Sequence, residues 1–108
     1  MQLKYDANID NSAIVANLKR LTNQIYKLLP NWEEGIDWGK PLTTIIEELS
    51  GMDRLFLEKH PTLYSLLCKL EGLFTLSEND FFIFRKTIFE ALGLVSELIT
   101  YINGHNEN

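Results

Sequence analysis

The apolar residues of this chain recur at alternating steps of three and four along four separate stretches. This spacing constrains the fold more than any other feature, because it places an apolar stripe along one face of an α-helix. No stretch alternates apolar and polar residues with the period of two that a half-buried strand requires, and no internal repeat is present. The sequence therefore predicts an all-α protein.

Proline and glycine residues mark the predicted helix boundaries. Pro30, Pro41 and Pro61 lie between the stretches, and Asn103-Gly104 follows the last of them. Proline is tolerated in the first turn of a helix but not in its interior, and glycine commonly follows a helix end. The predicted helices cover residues 11–29, 41–58, 61–74 and 78–102. Short connections between them predict a compact four-helix bundle with antiparallel neighbours.

The length and composition of the chain fit one domain. With 108 residues, of which 45% are apolar and 23% charged, it resembles a globular unit that buries its own core. We expect a single helical domain over residues 1–108, with its ordered core at about 11–102. The polar residues 103–108 have nothing to bury and are expected to form a flexible C-terminal tail.

Several locations and partners are disfavoured by the sequence. There is no run of about 18 apolar residues, so no membrane span is predicted. The first ten residues lack the apolar stretch of a secretory signal, and the single Cys68 excludes an internal disulfide. We therefore expect a cytoplasmic protein. A net charge of −5 argues against nucleic acid as a partner, since a phosphate backbone attracts clustered Lys and Arg.

The fourth predicted helix is apolar around an unusually large part of its circumference. Phe82, Phe89, Leu94 and Tyr101 widen its apolar band beyond the main stripe. A helix of this kind is either central to its bundle or paired with another copy of itself. The sequence leaves both alternatives open, and in the second these four residues are the expected homodimer face.

The segment 30–41 is the candidate interaction site. It is predicted to be an irregular loop, because Pro and Gly lie at both of its ends. Both tryptophans of the chain, Trp32 and Trp38, fall within it. Tryptophan is enriched at binding hot spots, and loops carry function more often than helices do. The segment is therefore either a recognition loop or a pair of apolar lids that close the end of the core.

The residues around these tryptophans are acidic. Seven acids and only two bases lie between Glu33 and Glu58, which favours a basic protein partner. The carboxylates expected to contact that partner, together with the two tryptophans, are Glu33, Glu34, Asp37, Glu47 and Glu48.

Carboxylates also bind Mg²⁺, so a catalytic alternative has to be considered. Glu47, Glu48 and Asp53 resemble part of the acidic pattern of MazG-like enzymes, which cleave nucleoside triphosphates with paired acids on two facing helices. That resemblance implies a metal-dependent nucleotide hydrolase, but the pattern is incomplete, because the next helix offers only Glu71. His60 precedes Pro61 and is expected to cap a helix. Without a suitable His, Cys or Ser constellation, we predict no catalytic residue, metal ligand or cofactor.

The preferred hypothesis is a non-catalytic, acidic protein-interaction module that acts as an adaptor, regulator or inhibitor. Small acidic bundles are typical of bacterial and phage accessory proteins, an analogy of composition only. A structural homodimer without a separate ligand is the second hypothesis, and the nucleotide hydrolase is the third.

Overall fold

The structure, a computed structural model, describes residues 11–52 and 60–106 and confirms the predicted all-α fold. The described residues contain four long helices and one short helix, and a 3-10 turn, Leu73–Thr75, lies between the last two of them. The helices are α1 (Asn11–Tyr26), α2 (Leu28–Glu33), α3 (Gly39–Met52), α4 (Pro61–Gly72) and α5 (Phe81–Asn106). None of the described helices has both the length and the apolarity needed to cross a membrane.

The four long helices form a closed ring in cross-section. Helix α5 packs against α1 and α4, and α3 packs against the same two helices, so α3 and α5 lie diagonally opposite each other. Long helices that are consecutive in the chain are thus neighbours in space, as in an up-and-down bundle. The short α2 packs under α1 and α5 at one end of the ring. The bundle is elongated, with extents of 47 × 21 × 19 Å.

The core consists of the apolar stripes that the spacing predicts. Each long helix contributes one stripe, and each fully buried Leu, Ile or Phe stabilises the fold by roughly 1.5–3 kcal/mol. The fully buried residues of α1 and α3 include Leu18, Leu21, Ile25, Leu42, Ile45 and Leu49. Those of α4 and α5 include Leu63, Leu66, Leu70, Phe84, Ile88 and Val95.

The first predicted helix is divided at Lys27. Helix α1 ends at Tyr26, and α2 begins at Leu28 with Pro30 as its third residue. Proline is tolerated there, because the first N–H groups of a helix have no intrahelical acceptor. Pro30 therefore does not end the helical region at Leu29, as the sequence suggested, but forms part of a second, six-residue helix.

Helix α2 ends at Glu33, and Gly35 closes it in a Schellman motif. Gly35 has a φ of +70°, in the left-handed region that favours glycine. The Ile36 N–H donates to the Asn31 carbonyl at 2.8 Å, and the Gly35 N–H donates to the Trp32 carbonyl at 3.2 Å. Within the segment 30–41 only residues 34–38 are non-helical, so the irregular connection is shorter than predicted.

Helix α4 begins with the cap expected at His60. The Nδ1 atom of His60 accepts a hydrogen bond from the Thr62 N–H at 3.2 Å, and Pro61 occupies the first helical position. The imidazole is buried and meets the ring of Tyr101 edge-on, with centroids 4.6 Å apart. This cap therefore also joins the beginning of α4 to the end of α5.

Helix α5 begins and ends later than the predicted range 78–102. Residues 77–80 form a turn, in which the Asp80 N–H donates to the Ser77 carbonyl at 3.0 Å. The Asp80 Oδ2 atom accepts from the Ser77 N–H at 2.9 Å, which fixes the turn ahead of the helix. At the other end the helix continues to Asn106, so residues 103–106 of the predicted flexible tail are helical. Gly104 weakens a helix by about 1 kcal/mol without preventing it.

Candidate functional site

Four parts of the chain meet at one end of the bundle. They are α2, the beginning of α3, the 3-10 turn after α4 and the beginning of α5. An antiparallel bundle brings these together, because the end of one helix lies beside the beginning of the next. Their rings form an aromatic cluster of Trp32, Trp38, Phe74, Phe81 and Phe84.

The two tryptophans stack on each other and rest on the core. Their ring centroids are 5.4 Å apart, with an angle of 29° between the planes. The fully buried ring of Phe84 lies 4.3 Å from Trp32 and 5.0 Å from Trp38. Aromatic pairs at such distances contribute about 0.5–1.5 kcal/mol beyond the area that they bury. Both half-buried indoles therefore cover the end of the core, as the lid interpretation predicts.

Two further rings extend this stack on either side. Phe74 lies 6.2 Å from Trp38 at an interplanar angle of 26°, and Phe81 lies 6.2 Å from Trp32 at 41°. The indoles thus lie between aromatic neighbours from the 3-10 turn and from α5. Packing of this kind restricts the orientations that the two indoles can adopt.

A surface groove of about 510 Å³ lies beside the stack, and we call it the Trp groove. Its apolar lining includes Trp32, Trp38, Ile36 and Leu76. Its carboxylates are Glu33, Asp37 and Glu78. No Lys, Arg or His of the described chain lines it. The groove therefore combines an apolar wall with an excess of negative charge.

Two of the three groove carboxylates have no ion-pair partner among the described residues, and the third caps a helix. Asp37 Oδ1 accepts from the Gly39 N–H at 2.9 Å and so caps the beginning of α3. Glu33 and Glu78 are exposed, and neither forms an ion pair within residues 11–52 and 60–106. The two ion pairs found there use Glu48 and Glu90 instead. The negative charge of the groove is therefore not neutralised by a described neighbour.

The other predicted contact acids lie away from the Trp groove. Glu34 follows α2 on the side of a separate depression that also includes Lys27. Glu48 pairs with Arg20 at 2.9 Å and so links α3 to α1. Glu47 is exposed nine residues after Trp38, about 13 Å along the helix axis. The structure thus brings Trp32, Trp38, Glu33 and Asp37 together but not Glu34, Glu47 or Glu48.

The four aromatic and apolar residues predicted as a homodimer face do not share one face. Phe82 and Phe89 are 77% and 45% exposed. Leu94 and Tyr101 are half-buried against the core, and Tyr101 contacts His60. Residues seven apart share a side of a helix, whereas Leu94 lies roughly 140° around α5 from Phe89. The wide apolar band is therefore divided between a packed side and an exposed side.

The acids do not form a metal site in the described part of the chain. No group of three or more His, Cys, Asp and Glu residues is placed there to hold an ion. Glu48 is engaged by Arg20, and Asp53, the third acid of the MazG-like pattern, lies outside the described residues.

Tyr64 and Cys68 lie one turn apart on the exposed side of α4, remote from the Trp groove. A hydrogen bond with the Cys68 side chain is the main cause that raises the pKa of Tyr64 above its ordinary value of 10.0.

Sequence reasoning missed the contribution of residues 76–78 to the groove. Leu76 and Ser77 lie between the predicted helices 61–74 and 78–102, and Glu78 is the first residue of the second of these. The run Ser77-Glu78-Asn79-Asp80 did contain a usable signal, because Ser, Asn and Asp together are typical of turns. A turn placed there would have brought Glu78 to the same end of the bundle as Trp32.

Comparison of the chain with protein-family models, with curated proteins and with solved structures gives no match.

Proposed function

We propose that this protein is a non-catalytic interaction module that binds a basic segment of a partner protein in the Trp groove. The observation that supports the proposal is the composition of the groove. An apolar aromatic wall and three carboxylates line it, and no Lys, Arg or His of the described residues does. Recognition by an adaptor, regulator or inhibitor requires no chemistry beyond such a surface.

Lysine and arginine side chains suit this groove because each has an apolar stem and a charged head. The stem would pack against the indole wall, while the head meets Glu33, Asp37 or Glu78. Arginine would gain most, since its planar guanidinium binds carboxylates through two parallel hydrogen bonds.

The rigidity of the aromatic stack favours binding by this surface. The rings of Trp32 and Trp38 are already ordered by Phe84, so they lose little conformational freedom when a ligand arrives. Tryptophans in well-packed positions are also the residues most often found at binding hot spots. The surrounding negative charge would speed the approach of a basic partner, and salt would reduce this effect.

Intrinsic fluorescence provides a direct test, because both tryptophans of the chain contact the groove. We expect a short polyarginine peptide to change the emission in a saturable way, and a polyglutamate peptide of equal length to leave it unchanged. Raising the salt concentration should weaken the binding.

Variants that remove carboxylates test whether polyarginine binds in the Trp groove. The double variant Glu33→Gln, Glu78→Gln removes two groove carboxylates and should weaken polyarginine binding about five- to twentyfold. The matched control Glu34→Gln, Glu47→Gln removes the same charge from exposed acids outside the groove. An equal loss of affinity in both variants would show that only net charge is sensed, and the proposal would be wrong.

A further inference from the structure

A second exposed apolar surface lies along the junction of α1 and α5. Tyr26, Phe82 and Phe89 are 54%, 77% and 45% exposed. Tyr26 meets Phe89 edge-on at 6.4 Å, and the Arg85 guanidinium lies 5.2 Å from the centre of the Phe89 ring. We call these four residues the α1–α5 strip. Exposed apolar side chains that lie next to one another often belong to interaction sites, whereas single exposed apolar side chains are common anywhere on a protein surface.

Around Tyr26, Arg85 and Phe89 the charge is opposite to that of the Trp groove, whereas Glu78 and Asp80 precede Phe82 at the groove end of the strip. Helix α1 contains no acid from Asn11 to Tyr26, whereas Lys19 lines a depression between α1 and α5. Lys86 is exposed next to Arg85. The acid nearest in sequence to Phe89 is Glu90, and it pairs with Lys69 of α4 on the other side of the helix. A surface that binds the strip should therefore be both apolar and acidic.

This chain itself carries such a surface. The Trp groove has three carboxylates, and the apolar residues Ile36 and Phe74 at its end of the bundle are 51% and 48% exposed. The two surfaces adjoin at the beginning of α5, where Glu78 lines the groove and the exposed Phe82, four residues later, belongs to the strip.

We infer that the occupant of the α1–α5 strip is a second copy of this chain, whose Trp groove receives it. Because strip and groove adjoin, a two-fold axis near the beginning of α5 lets each copy place its strip against the groove of the other. Two such contacts form together and close the dimer. A dimer that paired strip with strip would instead oppose Arg85 and Lys86 to their own copies.

The inference rests on the Trp groove of the proposed function as a binding surface, but it needs no other protein. A basic partner segment and the second copy would compete for the same carboxylates. Binding of the partner would therefore convert dimers into monomers.

Analytical ultracentrifugation of the full chain tests the inference. We expect a monomer–dimer equilibrium with a dissociation constant between about 5 and 200 µM. High salt should raise this dissociation constant about tenfold or more, because it screens the attraction between the charges. The variants Arg85→Glu, Lys86→Glu and Glu33→Lys, Glu78→Lys should each be monomeric over this range, because each opposes like charges at both contacts.

An equimolar mixture of these two double variants gives the sharpest result. Every contact between the two different variants regains opposite charges, so the mixture should form dimers although neither component does. The control Glu47→Lys, Glu71→Lys makes the same charge change on exposed positions of α3 and α4 and should dimerise like the unaltered chain. Circular dichroism confirms that each variant is helical before it is compared.

Three results would overturn the inference: a monomer at all concentrations, dimers that persist in both double variants, or a mixture that stays monomeric. The proposed function is judged separately, because polyarginine binding to the groove can be measured at concentrations where the chain is monomeric. Either idea can thus fail while the other stands.

Discussion

The ring of Trp32 lies 4.3 Å from the buried ring of Phe84 and also lines the Trp groove. One side chain therefore covers the core and shapes the surface beside it. The sequence left two interpretations of the tryptophans open, as lids or as recognition residues, and this geometry makes them compatible. Any loss of binding in a tryptophan variant has to be corrected for a loss of stability.

Replacement of Trp32 should measure how much its packing against the core contributes to the free energy of unfolding. We expect Trp32→Ala to lower the free energy of unfolding by about 2–4 kcal/mol, because it removes a half-buried ring and leaves Phe84 partly uncovered. Trp32→Phe should cost less than half as much. Urea unfolding followed by circular dichroism measures both. Ile36→Ala is the control, since Ile36 lines the same groove but is 51% exposed. Equal losses for Trp32→Ala and Ile36→Ala would contradict the packing described here.

The His60 cap can be tested by a pair of substitutions. His60→Ala removes the Nδ1 acceptor of the Thr62 N–H and should lower the free energy of unfolding by about 1–2 kcal/mol. His60→Asn keeps an acceptor at the capping position, so it should recover part of this loss. The recovery will be incomplete, because Asn lacks the ring that packs against Tyr101. The melting temperatures of the two variants provide the comparison, and a lower value for His60→Asn would exclude the capping role.

The fold could be predicted from the sequence because the signal is repeated along every helix. Each turn of α1 places a Leu or Ile such as Leu18 or Leu21 on the same face, so many residues support one conclusion. Boundaries depend on single residues and were harder to predict. Pro30 was interpreted as a stop, although a proline in the first turn is equally compatible with a new helix.

The candidate site was only partly predictable, because its residues are brought together by tertiary structure. Trp32, Glu33, Asp37 and Trp38 are close in sequence and could be grouped by composition. Glu78 is 40 residues after Trp38, so composition alone does not group it with them, and only the antiparallel order of the helices does. Glu48, in contrast, was grouped with the tryptophans although it lies away from them. Nothing in the sequence shows that Glu48 forms an ion pair with Arg20 of another helix.

Two glycine substitutions should change stability in opposite directions. Gly35→Ala places a side chain on a residue with a φ of +70° and should cost about 1 kcal/mol. Gly93 lies inside α5, and a Cβ atom added there meets nothing within 4 Å. Gly93→Ala should therefore stabilise the chain by about 0.5–1 kcal/mol. Thermal unfolding of both variants gives the sign of each change, and a loss of stability in Gly93→Ala would indicate a constraint that the helix does not show.

Substitution of Asp37 should separate the charge of the groove from its structure. The Asp37 Oδ1 atom caps α3 through the Gly39 N–H, while the carboxylate also contributes negative charge to the groove. Asparagine caps a helix about as well as aspartate, so Asp37→Asn should change the free energy of unfolding by less than about 0.5 kcal/mol. Asp37→Ala should cost about 1 kcal/mol, because the Gly39 N–H loses its acceptor.

Binding, in contrast to stability, should not distinguish these two variants. Both lack the charge, so both should bind polyarginine about two- to fivefold more weakly than the unaltered chain, as tryptophan fluorescence would show. Affinity would then follow the charge, and stability would follow the hydrogen bond. If Asp37→Asn bound polyarginine as tightly as the unaltered chain, the groove carboxylates would not be the source of the attraction, and a basic partner would have to bind elsewhere on the bundle.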